Sequence, residues 1–179
     1  MKAEFTETYR GAGADRSESG ILYLKKPGRM RWEYTSPRPK LFISDGKQAF
    51  FYVPGELQAR KVSLNKLDDL RSPLRYLLGK TKLEKEFDHL ALLSPPSPSP
   101  SANLVLRGIP RSMTDRVQEV ELEINPQSQI VRIAIEATDG TTTQFDFRDQ
   151  VENPELGETE FRFLPPAGVQ VIEGEAFSQ

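Results

Sequence analysis

The stretch ILYLKKPGRMRWEYTSPRPKLFISDGKQAFFYVP at residues 21–54 decides the fold of this chain. Large apolar side chains alternate with polar ones along most of it, which is the pattern of strands with one buried face. The alternation is clearest in MRWEYT at 30–35, where Met30, Trp32 and Tyr34 share one face. The stretch therefore predicts a β-meander with unusually aromatic strands.

Turn signals divide this stretch and recur along the chain. KPGR at 26–29 predicts a tight turn, and Asp45-Gly46 and Asp139-Gly140 are typical of β-hairpins. A slip in the alternation of residues 116–126 predicts a β-bulge, and residues 11–20 are expected to form a flexible loop. Strands are predicted at 4–10, 20–25, 30–35, 40–44, 48–53, 57–64, 103–110, 116–126, 129–138, 141–149, 158–166 and 168–173.

One helical pattern separates the two groups of strands, at residues 65–80. Ser72 is a suitable N-cap before a proline, and Leu74, Leu77 and Leu78 share one face at helical spacing. Residues 83–93 are ambiguous between helix and strand. This order predicts a mainly β protein of the α+β type: about eleven antiparallel strands in a large curled sheet or an open barrel, covered by the helix.

Composition excludes several classes of function. The 179 residues fit one domain, and a net charge of -2 argues against a broad nucleic-acid footprint. The chain has no cysteine and a single histidine, His89, so thiol catalysis and cysteine-bound zinc are excluded, and a histidine-dependent enzyme is not expected. Since no nucleotide-binding or metal-binding motif occurs, we expect no cofactor and no enzymatic activity.

The aromatic strands leave two interpretations open. They can form a bulky core, or they can line a wide pocket for an apolar ligand. Strand 48–53 is apolar on both faces, so that either Phe50 and Tyr52 or Phe51 and Val53 could point inward; the first pair is preferred.

Several segments in the same order resemble the periplasmic outer-membrane lipoprotein carrier family (LolA). FRFLPPAGVQVI at 161–172 is similar to the C-terminal end of that family, and the DGTTTQFDF hairpin and the AEFTETYR start also fit. The matching residues of the first meander are Lys25, Lys26, Pro27, Arg31 and Trp32, followed by Ser44, Asp45, Gly46, Lys47, Tyr52 and Pro54.

The resemblance implies an open, strongly curved antiparallel β-barrel of about eleven strands with a helical lid, and a carrier without covalent chemistry. It would take acylated lipoproteins in the periplasm from an inner-membrane ABC transporter (the Lol complex) and pass them to an outer-membrane receptor. The acyl chains would lie in a cavity closed by the helical segment, and Lys26 would replace the family's usual arginine as the latch of this lid. The predicted lipid-binding residues are Leu22, Leu24, Met30, Trp32, Tyr34, Leu41, Ile43, Phe50, Tyr52, Leu74, Leu77 and Leu78.

Other expectations accompany this hypothesis. We expect residues 1–179 to be a single domain that lacks the family's N-terminal helix and its signal peptide, with some tendency to dimerise through that region. SPPSPSPSA at 94–102 is predicted to be an exposed loop. The main alternative is a periplasmic domain of the same fold that senses lipid or lipoprotein through protein contacts. The pathway's outer-membrane receptor and an esterase are weaker alternatives.

Overall fold

A computed structural model describes residues 1–11, 13–63, 77, 82–93 and 103–174. They form twelve strands, a short helix α1 at Leu83–Glu86, and a 3₁₀ turn at Glu158–Phe161. The strands are β1 Lys2–Gly11, β2 Ala14–Lys25, β3 Arg29–Ser36, β4 Lys40–Asp45, β5 Gln48–Tyr52, β6 Gln58–Ser63, β7 Phe87–Leu93, β8 Leu104–Pro110, β9 Val117–Ile124, β10 Ile130–Ala137, β11 Thr142–Val151 and β12 Gln170–Glu173.

The twelve strands belong to one sheet in the order β12-β6-β5-β4-β3-β2-β1-β11-β10-β9-β8-β7. Neighbours from β2 to β6 and from β7 to β11 pair antiparallel. The predicted mainly β fold with an open antiparallel sheet is confirmed. One pairing differs: β12 runs parallel to β6, because the chain crosses a face of the sheet before β12 begins.

The chain divides into two compact units. Unit 1 contains Met1–Glu4, Glu18–Leu78 and Asp149–Gln179, and unit 2 contains Phe5–Ser17 and Gly79–Arg148. Unit 1 therefore includes the first meander and the C-terminal segment, and unit 2 includes most of the second meander.

The turns of unit 1 follow the sequence signals. Gly28 in the KPGR turn has a φ of 68°, and Gly46 has a φ of 98°, both conformations that glycine adopts without strain. A side-chain oxygen of Asp45 accepts hydrogen bonds of 2.8 Å from the backbone amides of Lys47 and Gln48. The predicted hairpin between β4 and β5 is thereby confirmed.

Unit 2 has one apolar and one charged face. Val120, Leu122, Ile133 and Phe145 are buried on the apolar face. The expected bulge is present at Gln118, since Glu119 pairs with Glu136 whereas Val117 pairs with Ala137. It explains why the alternation slips without breaking the β9–β10 pairing.

The structure corrects two strand boundaries. Residues 11–20 are not a flexible loop, because β2 begins at Ala14; backbone pairing with β1 continues through polar residues that bury little. Residues 158–166 are not a strand: Glu158–Phe161 is a 3₁₀ turn, and the chain is irregular from there to β12. The apolar pattern around 161–163 reflects packing onto the sheet and not strand pairing.

Two other expectations concern segments that are only partly covered. The ambiguous residues 83–93 divide into α1 and β7. Of the predicted helix 65–80, only Leu77 is described, and the proline/serine-rich segment 94–102 lies outside the described residues. Within the part of the chain that the structure describes, no helix has the length and apolar character needed to cross a bilayer.

Candidate functional site

One face of the unit 1 sheet is a continuous layer of large side chains, which we call the Trp32 face. Two rows of cross-strand partners form it, because directly paired residues point to the same side of a sheet. One row runs Leu22, Trp32, Phe42 and Phe51 and ends at Arg60; the other runs Leu24, Met30, Ser44, Ala49 and Val62. Leu22 and Trp32 are 0% exposed and Met30 is 7% exposed. A ligand can reach this face only if other parts of the chain move.

Tyr34 lies at one end of the Trp32 face, where the face becomes polar. The Nζ atom of Lys40 lies 4.4 Å from the centroid of the Tyr34 ring and also pairs with Glu18. Tyr34 is buried, so its ring separates the apolar layer from a charged rim.

The opposite side of the same strands, which we call the Phe50 face, is also partly apolar. Ile43 pairs with Phe50 and Leu41 pairs with Tyr52. The remaining members on β2 and β3 are Ile21, Tyr23, Lys25, Arg29, Arg31 and Glu33, in register across the hairpin.

The predicted lipid-binding residues therefore do not form one lining. Leu22, Leu24, Met30, Trp32 and Tyr34 lie on the Trp32 face. The other four strand candidates, namely Leu41, Ile43, Phe50 and Tyr52, lie on the Phe50 face. The preferred pair of strand 48–53 is thus on the side opposite to Trp32, and Phe51 shares the side of Trp32. The cause is register: alternation within one strand does not say which of its faces continues the face of the next.

The lid candidates are only partly described. Leu77 is half-buried, while Leu74 and Leu78 lie outside the described residues. The side chain of Lys26 is exposed, and its backbone carbonyl accepts a hydrogen bond of 3.1 Å from Arg29. The latch therefore stays a prediction.

A C-terminal segment crosses the Phe50 face; we call residues 156–163 the strap. Lys25 donates hydrogen bonds from Nζ to the carbonyl of Leu156 at 2.7 Å and to a carboxylate oxygen of Glu158 at 3.1 Å. Arg29 donates to the other carboxylate oxygen of Glu158, and Arg31 donates to the carbonyl of Glu160 at 3.2 Å. Three cations of β2 and β3 thus hold the strap through one carboxylate and two carbonyls.

Aromatic packing holds the other end of the strap. The Phe163 ring stacks on Phe50 with a centroid distance of 5.3 Å and on Tyr52 at 5.8 Å. Phe161 is 1% exposed and belongs to the 3₁₀ turn, which lies against β3 and β4. The apolar residues of the Phe50 face are therefore matched by aromatic residues of the strap.

Two side chains in this region, Glu158 and Tyr23, have shifted pKa values. Hydrogen bonds from Arg29 and then from Lys25 lower the pKa of Glu158, so the carboxylate stays ionised. Partial burial, followed by the charges of Glu33 and Glu160, raises the pKa of the Tyr23 phenol, so it stays neutral. The contact of the strap with β2 and β3 is therefore built around an ionised carboxylate between two cations.

The charged face of unit 2 has two cavities, of about 290 Å³ and 450 Å³. The first is lined by Arg107, Glu119 and Glu121 among others, and the second by Glu123, Arg132 and Asp146 among others. Both arginines form ion pairs with the neighbouring acids, so neither cavity has the apolar lining that acyl chains need. Within the described ranges, no group of acidic or histidine side chains could hold a metal ion.

The charged residues that fasten the strap were not among the predicted site residues. Lys25 was named only as a residue that matches the family and Arg29 only as part of the KPGR turn, and Phe161 and Phe163 were assigned to a strand. A signal was present, because β4 and β5 are apolar on both faces, and a strand of this kind needs a covering layer on each side.

Comparison with solved structures defines the fold. A LolA superfamily protein from Nitrosomonas europaea has a TM-score of 0.50 and 16% identity over 90% of this chain and 89% of that one. The lipoprotein LppX of Mycobacterium tuberculosis has a TM-score of 0.53 and 12% identity over 87% and 89%. At these identities the likeness shows a shared fold alone.

Sequence comparison identifies the family. The family described as outer membrane lipoprotein carrier protein LolA matches residues 1–164. An outer-membrane lipoprotein carrier protein of Bordetella avium is 31% identical over 159 residues, which are 88% of this chain and 72% of the relative. One from Chromobacterium violaceum is 27% identical over 98% of this chain and 82% of the relative. The chain belongs to the LolA family, and the predicted resemblance is confirmed.

Proposed function

We propose that this protein is a periplasmic carrier that binds the acyl chains of lipoproteins on the Trp32 face and shuttles them between membranes. It would receive them from the inner-membrane Lol ABC transporter and pass them to the outer-membrane receptor. The observation that carries the proposal is the continuous apolar layer around Trp32 in a chain of the LolA family.

The physical chemistry of the cargo supports this assignment of the face. Each methylene group that leaves water contributes roughly 0.8 kcal/mol, so an acyl chain needs a continuous apolar surface. The Trp32 face offers Leu22, Leu24, Met30 and Trp32 without a charged group among them. The Phe50 face is interrupted by Lys25, Arg29 and Arg31 and is already covered by the strap.

A lipopeptide titration tests the proposal directly. Trp32 is the single tryptophan of the chain and is buried, so its emission reports on that face alone. We expect a saturable change with a triacylated peptide and none with the same peptide without acyl chains. Acceptance of lipoprotein from the inner-membrane transporter then distinguishes a carrier from a sensor. Absence of any acyl-dependent response in the folded protein would contradict carriage and favour the sensor that acts through protein contacts.

Matched substitutions distinguish the two faces. Met30→Ala alters the Trp32 face, and Leu41→Ala alters the Phe50 face on a neighbouring strand. We expect the first to weaken binding of the acylated peptide and the second to leave the affinity unchanged. The reverse result would mean that the acyl chains lie on the Phe50 face.

The proposal extends to other predictions made from the sequence. Lys26 and the leucines Leu74, Leu77 and Leu78 are proposed to act at the lid, and binding is proposed to involve no catalysis and no cofactor. We further propose that the chain acts as a single domain and has some tendency to dimerise. Sedimentation at increasing protein concentration would detect the dimer.

A further inference from the structure

We infer that the strap is a clamp on the back of the cargo-binding sheet, and that Glu158 is the positioning residue through which this clamp slows the exchange of cargo on the Trp32 face. This inference rests on the proposed function and adds a regulatory element to the same site.

The clamp and the proposed cargo face use the same hairpin. Lys25 pairs with Arg29 at the end of the β2–β3 hairpin, and the next pair is Leu24 with Met30. Adjacent residues of a strand point to opposite faces, so the two cations that bind Glu158 stand directly behind two predicted cargo residues. A force on one pair is transmitted to the other through the backbone that they share.

The strap also crosses several neighbouring strands. Its anchors lie on β2 (Lys25), β3 (Arg29 and Arg31) and β5 (Phe50 and Tyr52), while its 3₁₀ turn lies against β3 and β4. A segment fixed to four adjacent strands on one side opposes changes in their twist and separation. Since the Trp32 face is buried, an acyl chain enters or leaves only when the layer that covers this face separates from the strands, and a clamp that stiffens those strands slows that separation.

Glu158 is the strap residue whose contact both joins two strands and is easily released. The other strap contacts are to backbone carbonyls or between aromatic rings, whereas Glu158 is the strap carboxylate that binds two cations at once. Its side chain is 65% exposed, so the contact responds to salt, unlike the buried ring of Phe161. The ion pairs of Glu158 therefore connect β2 with β3 through a contact that breaks easily.

The test compares Glu158→Gln with Glu155→Gln, which removes an exposed carboxylate from the approach to the strap. Each variant is loaded with a fluorescent triacylated peptide, and release is followed after addition of excess unlabelled peptide. We expect Glu158→Gln to release the peptide about twofold to fivefold faster than the unmodified protein, the range expected for exposed ion pairs. Glu155→Gln should release it at the unmodified rate.

Salt provides a readout that a merely structural role would not change. At about 1 M salt the screening length falls to about 3 Å, so the release rate of the unmodified protein should approach that of Glu158→Gln. Equal rates for both variants and the unmodified protein at low salt would overturn the inference. A difference that persists unchanged at high salt would also overturn it, because it would show that the ion pairs are not the cause.

A second measurement separates this inference from the proposed function. If the unmodified protein binds no acylated peptide, the carrier proposal fails, and the clamp is then tested by hydrogen exchange in the apo protein. Faster exchange of the β2–β3 backbone amides in Glu158→Gln than in Glu155→Gln would support the clamp. Equal protection would refute it, whatever the ligand of the protein is.

Discussion

Replacement of Phe161 by alanine tests whether the strap is packed as tightly as the structure indicates. The Phe161 ring is 1% exposed, and truncation of a fully buried phenylalanine costs about 3–5 kcal/mol through lost transfer energy and the cavity left behind. Because domains are typically stable by about 5–15 kcal/mol, the variant should lose a large part of its stability. Phe161→Leu keeps most of the volume and should cost less than about 1.5 kcal/mol.

Urea unfolding followed by Trp32 emission measures this cost, with an unchanged slope expected because the folded and unfolded ensembles are otherwise the same. The matched control is Phe163→Ala, since Phe163 is half-buried and stacks on Phe50; its cost should be about half as large, on the order of 2 kcal/mol. A loss below about 1 kcal/mol for Phe161→Ala would refute the packing of the strap against the sheet.

Three further substitutions test other parts of the fold. Gly20→Ala would place a Cβ 1.8 Å from a backbone oxygen of β3, so that it should cost about 3 kcal/mol or more in denaturant unfolding; a neutral result would mean that the β2–β3 pairing differs. Ser44 is buried and donates a hydrogen bond of 2.9 Å to the Gly28 carbonyl, so Ser44→Ala should cost about 1–3 kcal/mol, and no loss would exclude that bond. Hydrogen bonds from the amide and hydroxyl of Thr141 lower the pKa of Asp139 below its ordinary 3.8, so this carboxylate stabilises the fold above that pH and loses its effect as the pH falls through the lowered pKa. Asp139→Asn should flatten the acid limb of the stability curve, and an unchanged limb would contradict the assignment.

Short-range sequence patterns predicted the structure correctly where an element depends on neighbouring residues alone. The alternation in MRWEYT predicts β3, the Asp45-Gly46 and Asp139-Gly140 signals predict two hairpins, and the phase slip near Gln118 predicts the bulge; all are present. In each case the pattern reflects side-chain period or turn conformation, which neighbouring residues determine.

Short-range sequence patterns gave wrong predictions where the structure of a segment depends on contacts with a distant segment of the chain. Residues 11–20 looked like a loop, yet most of them extend the β1–β2 hairpin through backbone pairing. Residues 158–166 looked like a strand, yet 158–163 belong to the strap, which is held by Lys25 and Arg29, about 130 residues earlier in the chain. Aromatic residues at alternate positions serve a strand and a packed strap equally well.

The sequence by itself determined the mainly β architecture, most turns and the family of this protein, because short-range periodicity and ordered motifs carry that information. The tertiary structure alone decided which apolar residues act together. Each strand has two faces, and only the register between strands assigns Phe51 to the side of Trp32, and Phe50 and Tyr52 to the other side. Only the path of the strap then determines that this other side is covered. Register and coverage depend on hydrogen bonds and contacts between residues far apart in the chain, which no local pattern encodes.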